Sequence, residues 1–546
     1  MKTIKIRNLA LLAISTILVA TSCKKSDFAI NTNPDDVTAS TVDYISVLPA
    51  AQAYTASITA SQWRFLQHWM GYWARSGSYQ SEQTTESYQF TNDYQVGIWN
   101  NYYYNANNYN FVITNAHAKG AGTYEAIGRI MKTMDFQVLV DVYGNIPYLE
   151  AFYGTTYKTP KYTDDLDIYK DLLRQLDTAI TLLKDPDLSS TSVNPLIGSN
   201  DLVFGGNTTM WIKAANTLKL KLLIHCSTTK FVNNTEINSY VSDIDVAAEA
   251  AAIVAEGSGF LGRGESIKIN PGYSGTKPNP FYRTYRFNES GNTASSGDIS
   301  KANIFAVGTN NDGYYQYDGD PRVNKFYVLP TGATKHRGIT FGEISGVDPN
   351  NVGNKLSSVY GTGLIPKDAN TDAWILTSVE SMFLQAEAVY RGLIPGDSET
   401  ALGDAIRESF TWLGIIDPIN ADAPANAYIT GNAGYADVDI NAAALSPTQA
   451  AGGMYTILSQ KWFALNSIAT LEVWTDYRRS DIVYGAAVDF DPGPPISILA
   501  GASPKIPTRL FYPQAEYNYN AANVGAEGVL DLFNPSARNR IFWDLN

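Results

Sequence analysis

The chain has 546 residues, 45% hydrophobic and 12% aromatic, with 35 Tyr, two Cys and a formal net charge of -13. That length buries a substantial core. The acidic balance and the lack of a Lys/Arg cluster exclude a nucleic-acid partner, and two cysteines exclude a disulfide framework. A neutral ligand fits the charge best, while the tyrosine excess suits helix packing and half-wet recognition surfaces alike.

The first 22 residues read as a signal peptide. Lys2, Lys5 and Arg7 form a positive start, and Leu9 to Ala20 form an apolar run too short to span a membrane. Ala20, Thr21 and Ser22 lead to Cys23 in a pattern that resembles a lipobox, which makes Cys23 the expected acylated (palmitate-bearing) first residue of a lipoprotein. Several acyl chains anchor stably. Loss of the leader takes the formal charge from -13 to -16. Residues 23 to 42, polar and without apolar period, read as a lipidated flexible tether.

From Asp43 to Arg75 the apolar spacing of Leu48, Ala51, Tyr54, Ile58, Trp63, Leu66 and Met70 predicts a helix. Further helices are predicted over Trp99 to His117, Thr123 to Tyr143 (stopped by Gly144), Leu166 to Leu183, Thr208 to Ser227, Trp374 to Tyr390, Glu399 to Trp412 and Pro447 to Leu465. Between about 260 and 370, Gly, Pro, Asn and Asp recur every few residues, which predicts loops with short strands. We read residues 43 to 546 as a single domain: helical over 43–235 and 371–480, with a loop-rich insertion at 260–370 and an irregular segment at 481–546. No clean 34-residue repeat signature is present, so the pattern supports helical hairpins and no counted repeat.

No catalytic constellation stands out. The four histidines, His68, His117, His225 and His336, lack metal-ligand spacing, and no metal or cofactor is expected. Glu380 and Glu387 have the seven-residue spacing of many solvated helix faces, so they are a weak candidate for the two facing carboxyls of a glycosidase. Aromatic clusters are a better use of the composition, because sugar rings stack on flat aromatics while Asn and Arg bind hydroxyls. The candidates are Trp73 and Tyr79 beside Arg75; Tyr94, Trp99, Asn101 and Tyr103; and Tyr314 and Tyr315 near Arg322. For the first two groups, packing between helices competes with binding.

The run Asp141 to Ala151, DVYGNIPYLEA, resembles the D-x-Y-G-x-I-P-Y-x-E-A hallmark of the SusD/RagB family. Blocks in the same order resemble that family along the chain: Phe28 to Asp36, Pro160 to Leu173, Asp201 to Lys221, Ser378 to Ala388, Gln460 to Ala464, Glu472 to Arg479 and Arg509 to Asn523. The NTNPD start and YPQAEYN end are most similar to its second SusD-like subfamily. The resemblance implies a mostly α-helical SusD-like fold with tetratricopeptide-like hairpins, on the outside of the outer membrane. It further implies a non-enzymatic protein that captures oligosaccharide and delivers it to a SusC-type TonB-dependent transporter. Capture of peptides by the same architecture is the alternative, and an envelope glycoside hydrolase a weaker one. Approximate position in the starch-binding relatives favours Trp99 and Asn101 as sugar contacts.

Overall fold

The computed structural model describes residues 42–61, 63–185, 197–232, 235–307, 319–361, 369–442, 453–480, 496–529, 531–533 and 540–544. The signal peptide, Cys23, almost all of the tether, Tyr314 and Tyr315 lie outside the described residues. Helices of ten residues or more are α1 (Tyr44–Ser61), α2 (Val96–Lys119), α3 (Gly122–Tyr143), α4 (Asp165–Lys184), α5 (Thr208–His225), α6 (Val246–Glu256), α7 (Ser378–Tyr390), α8 (Ser398–Trp412), α9 (Gly453–Ala464) and α10 (Thr470–Arg479). Strand occurs only as short antiparallel pairs among the described residues, so the fold is mostly α, as expected.

Several helices start or stop where local chemistry dictates. Asp164, Asn207, Thr377 and Asp397 cap α4, α5, α7 and α8 by accepting backbone N–H groups of the first turn, a bond that contributes about 1 kcal/mol. Gly120 takes a left-handed conformation (φ 68°) that ends α2 and turns the chain straight into α3. In α4, Ile168, Leu172, Leu176, Ala179 and Leu183 are buried on one face, and α3 is buried along nearly its whole length. The hairpins α2/α3 and α7/α8 bury these faces in one continuous core that runs from Tyr44 to Trp543.

Two predicted helices are shorter than their apolar pattern. The Asp43 to Arg75 pattern divides into α1, a short helix Arg64–Trp69 and a strand Trp73–Arg75, which pairs antiparallel with Ser300–Ala302. Likewise Ala373–Leu376 is a strand paired with Ile267–Ile269, and α7 begins only at Ser378. Both pairings recruit a partner about a hundred residues or more away, which no local period can signal. The second pair closes the base of the loop-rich insertion. Sequence reading also missed the hairpin Ser227–Val232/Thr235–Tyr240 and the helices α6 and α10.

The C-terminal block folds back on the DVYGN hallmark. Leu510 N–H donates to Val142 O (3.0 Å) and Tyr512 O–H to Asn145 O (2.7 Å). Gly144 ends α3 at φ 70°, and an added Cβ would meet Arg509 Nη1 at 3.3 Å. A glycine is therefore required there both for the backbone and for the arginine.

Candidate binding groove

The charged residues of the family-like blocks meet in the interior. Lys221 of α5 lies 2.7 Å from Glu380 and 3.2 Å from Glu472. Lys461 lies 2.6 Å from Glu472, and Arg479 holds Glu387 through two bonds of 2.7 and 2.6 Å, with Arg391 on the same carboxylate at 2.8 Å. Burial alone opposes charge on His225, but the carboxylates of Glu472 and Asp141 overcome it and raise its pKa. Burial likewise opposes charge on Glu387, and Arg479 and Arg391 reverse that and hold it at about 2. Glu380 and Glu387 are each paired with cations in the core, Glu380 at the edge of a cavity of only about 70 Å³. They are structural, and the glycosidase pair considered from sequence is not formed by them.

Several sequence candidates are also interior. Trp73 is 1% exposed and packs edge-on against Tyr285 at 5.1 Å. Arg322 is fully buried: it donates to Asp320, Ser409 and Gln460 and lies over the rings of Phe410, Tyr428 and Phe463. Neither side chain can meet a ligand at the surface, and each is corrected here to a packing role. The apolar spacing near Trp73 and the loop position of Arg322 concealed this, because their partners come from distant segments.

Trp99 is 7% exposed, wedged between Tyr103, Tyr143 and Tyr512. Tyr94 stacks on Phe90 at 4.4 Å, with its hydroxyl against Thr85 at 2.9 Å. Tyr79 is half-buried and donates its O–H to Asp298. Asn101 accepts from Tyr54 O–H of α1 (3.0 Å), and the half-buried Tyr54 packs edge-on against Tyr104 of α2, which is 60% exposed. Tyr103 donates to Pro147 O (2.6 Å) and packs edge-on behind Phe136 and Phe152 at 5.9 and 6.3 Å.

In front of Tyr103 opens a groove of about 310 Å³ between α2, α3, α4 and the loop that follows Pro147. Its aromatic wall is Phe136, Tyr148, Phe152 and Tyr153. Phe136 meets Tyr148 edge-on at 4.7 Å, and Tyr153, 61% exposed, meets Tyr157 at 5.8 Å. Phe152 adopts φ 69°, a left-handed conformation unfavourable for a bulky side chain and common at ligand clamps. Asn110, Arg129, Lys132, Asp171 and Gln175 supply donors and acceptors. Tyr148 O–H donates to Asp171 (2.5 Å), and Arg129 binds Glu125 and Gln175. Aromatic faces beside amide and charged groups can stack on sugar rings and bond hydroxyls without any raised-pKa acid.

Sequence reasoning did not reach this groove: Tyr103 lies behind Phe136 and Phe152, the hallmark reads as scaffold, and Lys132, Phe136, Tyr148, Phe152 and Tyr153 were missed. Phe136 lies in a helix that reads as core, and Phe152 and Tyr153 fall just beyond the hallmark's last residue. Among the described residues, no group of three or more His, Cys, Asp or Glu is arranged to hold a metal ion, and no helix is long and apolar enough to cross a membrane.

A family model described as SusD-like, starch-binding and associating with the outer membrane matches residues 35–513. The chain belongs to that family. No curated protein sequence matches it. Similar solved structures include a chitin-binding protein (21% identity, 92% of this chain and 100% of that one, TM-score 0.67). Also similar are a SusD homologue from Parabacteroides distasonis (19%, 92% and 97%, TM-score 0.66) and a chitin-binding SusD homologue from Flavobacterium johnsoniae (21%, 92% and 96%, TM-score 0.62).

Proposed function

We propose that this protein is a lipid-anchored outer-membrane lipoprotein, facing the cell exterior, that binds nutrient oligosaccharides in the groove beside α2 and α3. It then delivers them to a SusC-type TonB-dependent transporter and performs no covalent chemistry. The groove carries the reading: an aromatic wall from Phe136 to Tyr153 stands opposite amide, carboxylate and cationic groups in a space of ligand size. Membership of a family described as starch-binding, and structural likeness to two chitin-binding proteins, support a glycan as the ligand class. The pairing of Glu380 and Glu387 with buried cations supports binding over hydrolysis.

The test is retention of the soluble protein, starting at Lys24, in native gels cast with starch, glycol chitin or polygalacturonate, with product analysis of the recovered sugar. Slowed migration with intact glycan supports the proposal. Cleavage products, or migration indifferent to every glycan, refute it. For delivery, the full-length lipoprotein should co-purify from membranes with a β-barrel transporter.

A further inference from the structure

We infer that the groove selects oligosaccharides bearing a carboxylate, that is a uronic-acid residue, and that Lys132 is the cation that receives it. This rests on the glycan-binding reading above and narrows its ligand class. Lys132 lies on α3 and lines the groove. Its ammonium donates to the neutral amide oxygen of Asn110 at 2.8 Å and lies over the rings of Phe152 and Phe136, at 5.4 and 5.7 Å from their centroids. Among the described residues it has no carboxylate at ion-pair distance.

The other charges facing the groove are already matched. Arg129 holds Glu125 at 2.7 Å, and Asp171 receives Arg174 at 3.1 Å together with Tyr148 O–H and Gln175. Lys132 is thus a partly desolvated cation supported by one amide and two ring faces, an arrangement that stabilises positive charge only in part. A sugar hydroxyl would add another neutral acceptor. A carboxylate would add a charge-assisted bond to the same ammonium while the adjoining sugar ring lies on Phe152 and Tyr153. Burial, reinforced by Arg129 and opposed by Asp171, holds the Lys132 pKa down to about 8, so an arriving carboxylate would draw a proton onto it near that pH. Tyr148 and Tyr153 are the remaining titratable groups on this wall. The overall negative charge of the chain makes this local cation the more discriminating, since anions without a matching site are repelled.

Isothermal titration tests the inference with trigalacturonate and a hyaluronan tetrasaccharide, each against its methyl ester, which keeps the shape and removes the charge. At least one acid should bind tenfold or more tightly than its ester at pH 7. Its titration at pH 8, in buffers of different ionisation enthalpy, should show proton uptake. Lys132→Met should erase the preference and Lys132→Arg restore it. Equal binding of acid and ester, a preference that survives Lys132→Met, tighter binding of an acidic tripeptide, or binding of neutral chitin or starch oligomers alone would overturn the inference while leaving groove binding intact where a glycan still binds. Failure of every glycan, acidic or neutral, would overturn the glycan reading with it.

Discussion

His225 Nε2 lies 2.9 Å from Glu472 Oε2 in a place where neither side chain touches water. Glu472 also faces Lys221 and Lys461, so one carboxylate meets three cations from two helices, α5 and α9. Removing it leaves Lys221 to Glu380, His225 to Asp141 and Lys461 to Asp476, so positive charge exceeds negative in the core and Glu472→Ala should destabilise by about 3 kcal/mol. The comparison is Glu82→Ala, whose half-exposed pairs with Arg75 and Arg64 should contribute about 1 kcal/mol or less. Urea titrations of the two variants check this; similar losses would mean that the buried pairs contribute no more than surface ones.

His68 gives a pH dependence of definite sign. Its ring is 2% exposed, and burial, followed by Arg64 and Arg75, lowers its pKa to about 3. Below about pH 6.5 the unfolded chain takes up a proton that the folded chain refuses, so stability is lost as pH falls from there toward 3. At pH 5 that loss is about 2 kcal/mol. His68→Leu should therefore be about 2 kcal/mol more favourable relative to wild type at pH 5 than at pH 7. A difference independent of pH would show that His68 titrates normally in the folded state.

Arg322 and Tyr153 separate packing from binding. Arg322→Ala strips a buried ion pair from Asp320 and should cost about 3–5 kcal/mol of stability. Tyr153→Ala removes a ring already 61% exposed and should leave the melting temperature nearly unchanged while weakening glycan retention severalfold. Thermal melts and affinity gels on both proteins read the two effects. A stable Arg322→Ala variant with impaired binding would restore Arg322 to the site.

Anchoring has its own test. If Cys23 is the acylated residue, as proposed, Cys23→Ala should abolish incorporation of labelled palmitate and release the protein from membranes. Continued membrane retention of an unlabelled variant would place the anchor elsewhere.

The helical frame was legible because α4, α5 and α8 carry their own side-chain caps and α2 and α3 end at glycines. Trp73 and Trp374 misled because each continues a helical apolar pattern yet pairs as strand with a distant segment. The charges of the EVWTDYRR block look like a solvated face in isolation. They are buried because α5, α7 and α9 close over them with opposite charges. The groove was not legible: Tyr103 only backs its aromatic wall, and Lys132 and Phe152 become a site only when α2, α3, α4 and the loop after Pro147 converge.

The most direct test of the central claim is calorimetric titration of an oligosaccharide retained by the wild-type protein into Tyr153→Ala and into Tyr104→Ala, an exposed aromatic outside the groove. The groove account predicts affinity lowered severalfold or more by Tyr153→Ala and unchanged by Tyr104→Ala. Unchanged affinity in Tyr153→Ala with loss in Tyr104→Ala would contradict it and move the sugar to the surface formed by Tyr54 of α1 with Asn101 and Tyr104 of α2.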